Sequence, residues 1–477
     1  MTHTMKMIEK CEVSPPPGSV PSTTIPLAFF DLPWLCCPPL KRIFFYHFPH
    51  SSKHFFQTLL PTLKHSLSLT LQHFYPFSSN LVFPPKSNPP HILYTQADSI
   101  SFTVAESSAD FISLVSDSPK DITVLHPFVP VLPPSQTLED GTFLIPLMAI
   151  QVTVMPRSGF TICITFRHVV ADGRAFHHFM KFWASICKFN GDLGLASLAL
   201  PLHNRDIIQD PTGLKHIFLQ ELSNLLPENV ESMGEIRDVP CDMVRQTFVL
   251  SHDQVVKLKK WVSVECKSHG LELPHLTTFV VTCSLIWVCK VKSEEIKTGN
   301  LLPSNDESYI LAFMADCRNR LEFSIPLEYF GNCLVCGNAE VKRSKLVGGN
   351  GILEAAIAIG SEVRNLQRGT FEGAETLMSN FTEFATLGKH MTIIAGSPNL
   401  EVYETDFGWG KPKRSEVVHA DNSGFISLSD CREKEGRIEV GLALQKIQMK
   451  KFSTILEEHL TEFGVLLTRK VYSYELP

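Results

Sequence analysis

The fold is decided by the stretch Phe160-Thr-Ile-Cys-Ile-Thr-Phe-Arg-His168-Val-Val-Ala-Asp172-Gly. Apolar and small polar residues alternate up to Phe166, which predicts a half-buried strand. His168 therefore falls where the strand gives way to a turn, and the backbone holds it in place. A neutral imidazole there can take a proton from a hydroxyl group at physiological pH. Asp172, one turn later, can fix the ring or the turn, so the stretch predicts His168 as a candidate general base.

Regular elements are predicted on both sides of this stretch. Within 174–188, apolar residues from Phe176 to Trp183 recur every three or four positions, which predicts a helix with one buried face. The same patterns predict a mixed α/β fold with helices over 53–74 (Pro61 breaking or starting it), 253–269, 276 onwards and 351–366, and strands over 91–95, 100–104, 149–155, 246–250, 308–315, 425–429 and 438–444.

The length of 477 residues predicts two domains, because one hydrophobic core rarely extends so far. Residues 190–241 are polar, punctuated by prolines and mostly without periodicity, which is typical of a long connection. We therefore expect an N-terminal domain over 1–189, a crossover connection over 190–241 and a C-terminal domain over 242–477.

Composition excludes several classes of partner. The net charge of −6 argues against nucleic acid, which requires a basic surface. The longest apolar run, Phe279 to Val291, is too short to span a membrane and predicts a buried helix. Thirteen cysteines without a regular framework indicate a reducing compartment, and Cys333-x-x-Cys336 lacks a second pair for a metal. We expect a cytoplasmic protein with no metal, no membrane contact and a small-molecule partner.

A second motif lies near the end of the chain, at Thr405-Asp406-Phe-Gly-Trp409-Gly410. Two glycines around one large aromatic residue predict a tight loop. Asp-Phe-Gly also occurs in protein kinases, but the chain lacks the glycine-rich phosphate loop and the His-Arg-Asp loop of that class. No Gly-x-Ser-x-Gly elbow is present, which argues against a serine hydrolase.

The two motifs together resemble the BAHD family of plant CoA-dependent acyltransferases. Three further matches support the resemblance: Phe29-Phe-Asp-Leu-x-Trp34, Asp316-Cys-Arg318 and Tyr329-Phe-Gly-Asn-Cys333. The last string is similar to the clade that acylates sugars of anthocyanins and phenolic glucosides. The resemblance implies two similarly built, chloramphenicol-acetyltransferase-like α/β domains with a channel between them.

The resemblance also implies roles for the motif residues. His168 is the general base, while Asp172 orients the site and pairs with Arg318. Asp406 is treated as essential in the family, and we expect it to hold its loop. The indole N–H of Trp409 is a candidate donor to the oxyanion, and a backbone amide is the alternative.

Acyl-CoA is implied as a co-substrate, with no permanently bound cofactor. Its phosphates require cations and free N–H groups. Among Lys257, Lys259 and Lys260 we select Lys259, and His275, Thr277 and Thr278 begin the next helix in the segment that resembles the family's CoA contact. A malonyl carboxylate would require a further cation, for which Arg174 is the first candidate and Arg320 the other.

Three functions are compatible with these residues. The favoured one is a malonyltransferase that moves malonyl from malonyl-CoA to a sugar hydroxyl of a phenolic or flavonoid glucoside. The second uses the same catalyst with an aromatic donor such as p-coumaroyl-CoA on anthocyanin or flavonoid glycosides. The third is a non-catalytic binding relative, which the intact His168 argues against. A bacterial-type condensation domain shares HxxxDG but would lack the Asp406 motif. We expect a monomer.

Overall fold

The protein has the predicted mixed α/β class in a computed structural model, which describes residues 3–85, 88–192, 199–232, 242–294, 307–321, 323–369, 371, 374–377, 390–418, 424–432 and 436–462. Its strands are β1 (Met5–Val13), β2 (Thr23–Pro26), β3 (Leu40–His47), β4 (Asn80–Phe83), β5 (His91–Tyr94), β6 (Ile100–Ser107), β7 (Lys120–Asp121), β8 (Gln136–Thr137), β9 (Phe143–Pro146), β10 (Met148–Met155), β11 (Gly159–Phe166), β12 (Met243–Leu250), β13 (Ser308–Asp316), β14 (Leu334–Lys342), β15 (Met391–Ala395), β16 (Arg414–Val417), β17 (Phe425–Asp430) and β18 (Ile438–Gln445). The principal helices are α1 (Leu60–Leu71), α2 (Phe111–Val115), α3 (Gly173–Lys188), α4 (Leu214–Glu221), α5 (Pro227–Ser232), α6 (His252–Ser268), α7 (Thr278–Ser293), α8 (Arg343–Val347), α9 (Gly351–Arg368) and α10 (Lys446–Glu462).

Strand β11 lies inside a mixed sheet with the order β1-β6-β10-β11-β3-β16. Its neighbours β10 and β3 both pair with it in antiparallel register. The predicted half-buried strand is in fact buried on both faces. One face packs into the main core with α3, and on the other face Cys163 joins Phe111 and Phe128 in a second apolar cluster. Alternation alone could not reveal this second cover, because Thr161, Cys163 and Thr165 are small enough to be buried.

The second large sheet has the order β14-β13-β15-β17-β18-β12-β7. Its central pairs β13–β15 and β15–β17 are parallel, and the outer pairs are antiparallel. Helix α7 packs against α9 and α10 in this half. Its described side chains from Val280 to Val291 are buried, which confirms the buried helix predicted from the apolar run. A smaller sheet, β2-β5-β4-β9-β8, completes the sheets of the described residues.

Two short strands cross the predicted boundary between residues 1–189 and 242–477. Strand β16 pairs with β3 of the first sheet, with Arg414 opposite Phe45. Strand β7, from the N-terminal part of the chain, pairs with β12 of the second sheet. The two sheets therefore exchange edge strands, and the boundaries predicted along the chain do not separate them. Strands of two and four residues carry too little periodicity to reveal which sheet they join.

The helix predicted over 53–74 divides near Pro61. A π-helical turn at Phe55–Leu59 precedes α1, whose first turn contains the proline. Proline has no N–H to donate to the previous turn, so the bonding pattern changes there. The predicted connection contains α4 and α5 in its described part, 199–232. Across the described ranges, none of the helices combines the length and apolarity needed to cross a membrane.

Candidate active site

His168 lies in the wall of a channel that runs between the two large sheets. Strand β11 ends at Phe166, a short 3₁₀ turn spans His168–Val170, and α3 begins at Gly173. The channel has a volume of about 2070 Å³ and is lined from the first sheet by Leu40 and Phe166. The second sheet contributes residues of β13 and β15, so the histidine is accessible from a cavity that both halves form.

The imidazole of His168 is held on one face and at one nitrogen. Its ring stacks on Trp34 with a centroid separation of 3.6 Å and an interplanar angle of 9°. The Nδ1 atom lies 3.0 Å from Oδ1 of Asn332. Since an amide oxygen only accepts hydrogen bonds, Nδ1 carries the proton and Nε2 keeps its lone pair. Among the described residues Nε2 has no hydrogen-bond partner, and it is therefore available as a base.

The surroundings of His168 keep it neutral. Burial lowers the pKa of the imidazole to about 4, although a hydrogen bond with the backbone of His168 itself and the neighbours Asp172, Asn332 and Asp31 partly oppose this effect. Only 8% of the residue is exposed, since the ring meets solvent only through the channel. At neutral pH the ring is unprotonated and can accept a proton.

Asp172 belongs to the channel wall, but its carboxylate is engaged in a buried network of charges. Its Oδ2 atom lies 2.9 Å from Nη1 of Arg318, and neither side chain is exposed. The same carboxylate caps α3 by accepting from the N–H of Ala175 and also accepts from the N–H of Cys333. The predicted pair of Asp172 with Arg318 is thus present in the geometry.

Arg174 lines the channel but is already paired. Its Nε atom lies 2.6 Å from Oδ2 of Asp316, whose Oδ1 atom lies 3.0 Å from Arg318. Asp172, Asp316, Arg174 and Arg318 together carry no net charge. The guanidinium predicted to hold a malonyl carboxylate is therefore balanced within the protein, and Arg320 also lies in the channel wall.

The residues predicted to contact CoA lie together in the channel wall. Lys259 on α6 donates from Nζ to Oγ1 of Thr278 at 3.0 Å. Thr277 caps α7 by accepting from the N–H of Val280, and His275 precedes it in the same wall. Lys257 and Lys260 are not among the lining residues. A cation beside a helix N-terminus is a suitable arrangement for a phosphate.

Asp406 holds its own loop. Its Oδ1 atom accepts from the N–H groups of Gly408 and Gly410, each at 2.9 Å, and Oδ2 pairs with Lys188 at the end of α3. Lys188 and the two loop N–H groups lower the pKa of this carboxyl, although burial opposes them. Both glycines have positive φ, of 104° and 93°, which side chains rarely adopt. Asp406 is not among the residues that line the channel.

The prediction that Trp409 donates to an oxyanion is wrong for this structure. Its ring packs edge-on against Phe160, at a centroid distance of 5.8 Å, near the start of β11. The strand advances about 3.3 Å per residue, so Phe160 lies roughly 20 Å from Phe166, where the strand approaches His168. The loop motif indicated the family, but the sequence did not show that the loop packs near the start of β11. A backbone amide remains the alternative oxyanion donor.

Three polar residues around His168 were not predicted as site residues. Asp31 and Asn332 lie within two of the motifs that carry the family resemblance, but the motifs did not indicate what either side chain does. Arg205, in the predicted connection, gave no signal, yet its Nε atom lies 3.1 Å from Oδ2 of Asp31. Cys333 lies 3.2 Å, Sγ to Sγ, from Cys317. Within the described ranges no group of His, Cys, Asp and Glu could hold a metal ion.

Comparisons with known proteins cover almost the whole chain. A family model described as the Transferase family matches residues 5–459. The coumaroyl-CoA:anthocyanidin 3-O-glucoside-6''-O-coumaroyltransferase 1 of Arabidopsis thaliana is 39% identical, over 96% of this chain and 98% of that protein. The malonyl-coenzyme A:anthocyanin 3-O-glucoside-6''-O-malonyltransferase of Dahlia pinnata is 34% identical, over 96% and 97%.

Solved structures share the fold at low identity. Vinorine synthase aligns with a TM-score of 0.67 and 17% identity, over 96% of this chain and 98% of that one. TRI101 of F. graminearum, complexed with coenzyme A and T-2 mycotoxin, aligns with a TM-score of 0.63 and 14% identity, over 92% and 98%. These likenesses establish that the chain shares the fold of these two proteins.

Proposed function

The chain belongs to the BAHD transferase family and is a CoA-dependent acyltransferase, and from this premise we propose that it moves a hydroxycinnamoyl group, such as p-coumaroyl, to a sugar hydroxyl of an anthocyanin or related phenolic glucoside. The observation that carries the proposal is His168, neutral and open through Nε2 to a channel that both domains form. The acyl-CoA is a co-substrate, and we expect the enzyme to act as a cytoplasmic monomer.

The proposed mechanism needs no covalent enzyme intermediate. Nε2 of His168 takes the proton of the acceptor hydroxyl while that oxygen attacks the thioester carbonyl. A C–O bond forms, and the resulting tetrahedral oxyanion collapses with cleavage of the C–S bond. CoA leaves as a thiolate and receives the proton from His168. A thiol has a pKa of about 8.5, far below that of an alcohol, so the sulfur is the better leaving group.

The donor's phosphates are proposed to lie at the N-terminus of α7. Lys259, Thr277 and Thr278 meet there at the channel wall, and the first N–H groups of the helix attract an anion. The acceptor would then approach His168 through the part of the channel that Trp34 and Leu40 line.

Two observations favour a neutral aromatic acyl group over malonyl. The network of Arg174, Asp316, Arg318 and Asp172 is already balanced, so a malonyl carboxylate beside Arg174 would add a negative charge that this network does not compensate. In addition, two coumaroyltransferases of Arabidopsis thaliana are 39% identical to this chain, whereas the malonyltransferases compared are 32–36% identical.

The test offers the purified enzyme p-coumaroyl-CoA, malonyl-CoA and acetyl-CoA, each with a panel of anthocyanidin and simple phenol glucosides, and identifies products by mass. We expect p-coumaroyl esters as the main products. His168→Ala should lower kcat by about 10³-fold or more, because the reaction loses its base. The control His50→Ala, which alters a histidine outside the channel, should leave kcat unchanged. Exclusive formation of malonyl esters would overturn the choice of donor, and no turnover with any donor would overturn the catalytic proposal.

Malonyl-CoA is the second candidate, which the sequence favoured. Arg174 and Arg320 stand in the channel wall, and the Nη atoms of Arg174 are not used in its pair with Asp316. If malonyl is the donor, Arg174→Ala should abolish the preference for malonyl-CoA over acetyl-CoA. An unchanged preference would exclude Arg174 as the carboxylate-binding residue.

A further inference from the structure

A chain of buried polar groups leads from the connection between the domains to the base. Arg205 pairs with Asp31, Asp31 accepts from Asn332, and Asn332 bonds to the ring of His168. We infer that Asp31 is a positioning residue, which acts through the Asn332 amide to determine which ring nitrogen of His168 carries the proton. This inference rests on the proposed function of His168 as the base.

The Asn332 amide has one favourable orientation. Its Nδ2 atom donates towards Oδ1 of Asp31 at 3.0 Å, and the carbonyl oxygens of His168 and Val169 lie 2.9 and 3.2 Å away. All three neighbours are acceptors. Rotating the amide by 180° would place its oxygen against them and leave its N–H₂ facing Nδ1 of His168. The amide oxygen therefore faces Nδ1, and the ring must be protonated there.

Asp31 supplies the strongest of these contacts. A carboxylate is a better acceptor than a carbonyl, so its bond to the amide is charge-assisted. The same Oδ1 atom also accepts from the backbone N–H of Asn332 at 3.1 Å. Two bonds from one residue to one oxygen hold backbone and side chain together, which fixes the amide relative to the imidazole.

Asp31 is itself held rigidly. Its Oδ2 atom accepts from the N–H of Ala28 at 2.9 Å and from Nε of Arg205 at 3.1 Å. Asp31 has no exposed surface, and Arg205 also donates from Nη1 to the carbonyl of Phe330. A Cβ atom at Gly331 would lie 2.6 Å from Cζ of Arg205, so only glycine admits the guanidinium here. The string 329–333 thus combines space for Arg205 with the amide that orients the base.

The arrangement matters because only one tautomer can catalyse the reaction. With the proton on Nδ1, the lone pair of Nε2 faces the acceptor hydroxyl. With the proton on Nε2, the ring has no lone pair to offer in the channel. Without the charge of Asp31 only the carbonyl groups of His168 and Val169 favour this orientation of the amide, so a larger fraction of the molecules holds the inactive tautomer.

Asp31→Asn tests the inference, with Asp98→Asn as a matched control. Asp98 likewise accepts from an asparagine side chain, Asn80, and from a backbone N–H, that of Thr95, but it does not contact His168. We expect Asp31→Asn to lower kcat by about 10- to 1,000-fold with little change in KM, and to move the acid limb of kcat to lower pH. Asp98→Asn should change neither quantity.

The folded fraction of each variant is measured by circular dichroism, and kcat is expressed per folded molecule. Since Asp31→Asn leaves Arg205 buried without its partner, the double variant Asp31→Asn/Arg205→Gln repeats the test with both charges removed. If the folded variants keep the kcat and pH profile of the wild type, Asp31 has a structural role only and the inference is overturned. Absence of turnover in the wild type would instead overturn the proposed function.

A second measurement does not depend on turnover. In protein labelled with ¹⁵N-histidine, the ring nitrogens of His168 are assigned by their loss in His168→Gln. We expect a protonated Nδ1 in the wild type and mixed or reversed protonation in Asp31→Asn. A wild-type ring protonated at Nε2 would overturn the inference.

Discussion

At the scale of single residues, Asp172 has no oxygen left for chemistry. One oxygen caps α3, and the other accepts from the N–H of Cys333 and pairs with Arg318. Both side chains of the ion pair are completely buried, so water could not stabilise either charge if the other were removed. Both oxygens of the aspartate in the HxxxD motif are therefore engaged in fixing the turn that carries His168.

Asp172→Asn should lower the free energy of unfolding by about 3 kcal/mol or more, because it leaves the Arg318 charge buried without its full compensation. Urea denaturation gives this quantity. Asp110→Asn is the control, since Asp110 caps α2 in the same way but its cap lies at the surface. The change there should stay below about 1 kcal/mol. Equal losses in the two variants would show that the cap, and not the ion pair, determines the effect.

The sequence predicts site residues most readily when they lie close together along the chain. His168 and Asp172 are separated by one turn, and both lie where the pattern placed them. It assigned no role to Asp31, Arg205 or Asn332, since these meet only after folding. Trp409 was misplaced for the same reason, because an indole near glycines can pack anywhere on a sheet.

At the scale of elements, α3 joins the site to the distant loop. Its N-terminus is capped by Asp172, and Lys188 at its C-terminus pairs with Asp406 at 2.8 Å. In the loop, Phe407 packs edge-on against Tyr46 and Trp183. The loop at 406–410 therefore anchors the far end of the helix that begins at the active-site turn.

Asp406→Ala should affect the free energy of unfolding more strongly than it affects kcat. The variant loses two loop hydrogen bonds and the pair with Lys188, and we expect a loss of about 2 kcal/mol in the free energy of unfolding. Thermal melts measure the loss, and kcat per folded molecule at low temperature should stay within about threefold of the wild type. Lys188→Ala removes only the half-exposed ion pair, so its effect should be below about 1 kcal/mol. A large fall in kcat in a fully folded Asp406→Ala would contradict a purely structural role.

Long elements were predictable from periodicity, and short edge strands were not. The buried faces of α3 and α9 repeat over four turns or more, and α7 is a continuous apolar run, so each pattern exceeds chance. Strand β16 has four residues, two of them the charged Arg414 and Glu416, and all four are buried. Its charges are satisfied by partners such as Arg245, and a sequence pattern cannot anticipate such pairing.

At the scale of the whole molecule, several histidines that are buried or partly buried are held without charge. Burial lowers the pKa of His168 and of His203 to about 4, and lowers that of His177 well below its usual value. Nε2 of His203 donates to the carbonyl of His73 at 2.7 Å, while Nδ1 has no partner for a second proton. Glu439 has the opposite response, since burial raises its pKa to about 7.

These shifts make the fold sensitive to acid. Between pH 6.5 and 4 the unfolded chain binds a proton at each of these histidines that the folded chain does not, so stability falls as the pH falls. The contribution is up to about 1.4 kcal/mol per pH unit for each group, and Glu439 offsets one such group between pH 7 and 4.5.

His203→Gln should therefore reduce the acid slope of the unfolding free energy by up to about 1.4 kcal/mol per pH unit, measured by urea denaturation at pH 7, 6 and 5. A wild-type slope retained in His203→Gln would contradict the assignment.

The late position of β16 in the sequence affects how the first sheet folds while the chain is being synthesised. Strand β3 carries Ile43, Phe44 and Phe45, and in the part of the chain that the structure describes its outer edge is paired by β16 and by the N–H of Lys413. A ribosome adding about 5–20 residues per second needs tens of seconds to reach them after β3 has emerged. During that interval the nascent chain displays an unpaired apolar edge, which is a template for aggregation. A chaperone that shields this edge during translation should therefore raise the yield of active enzyme.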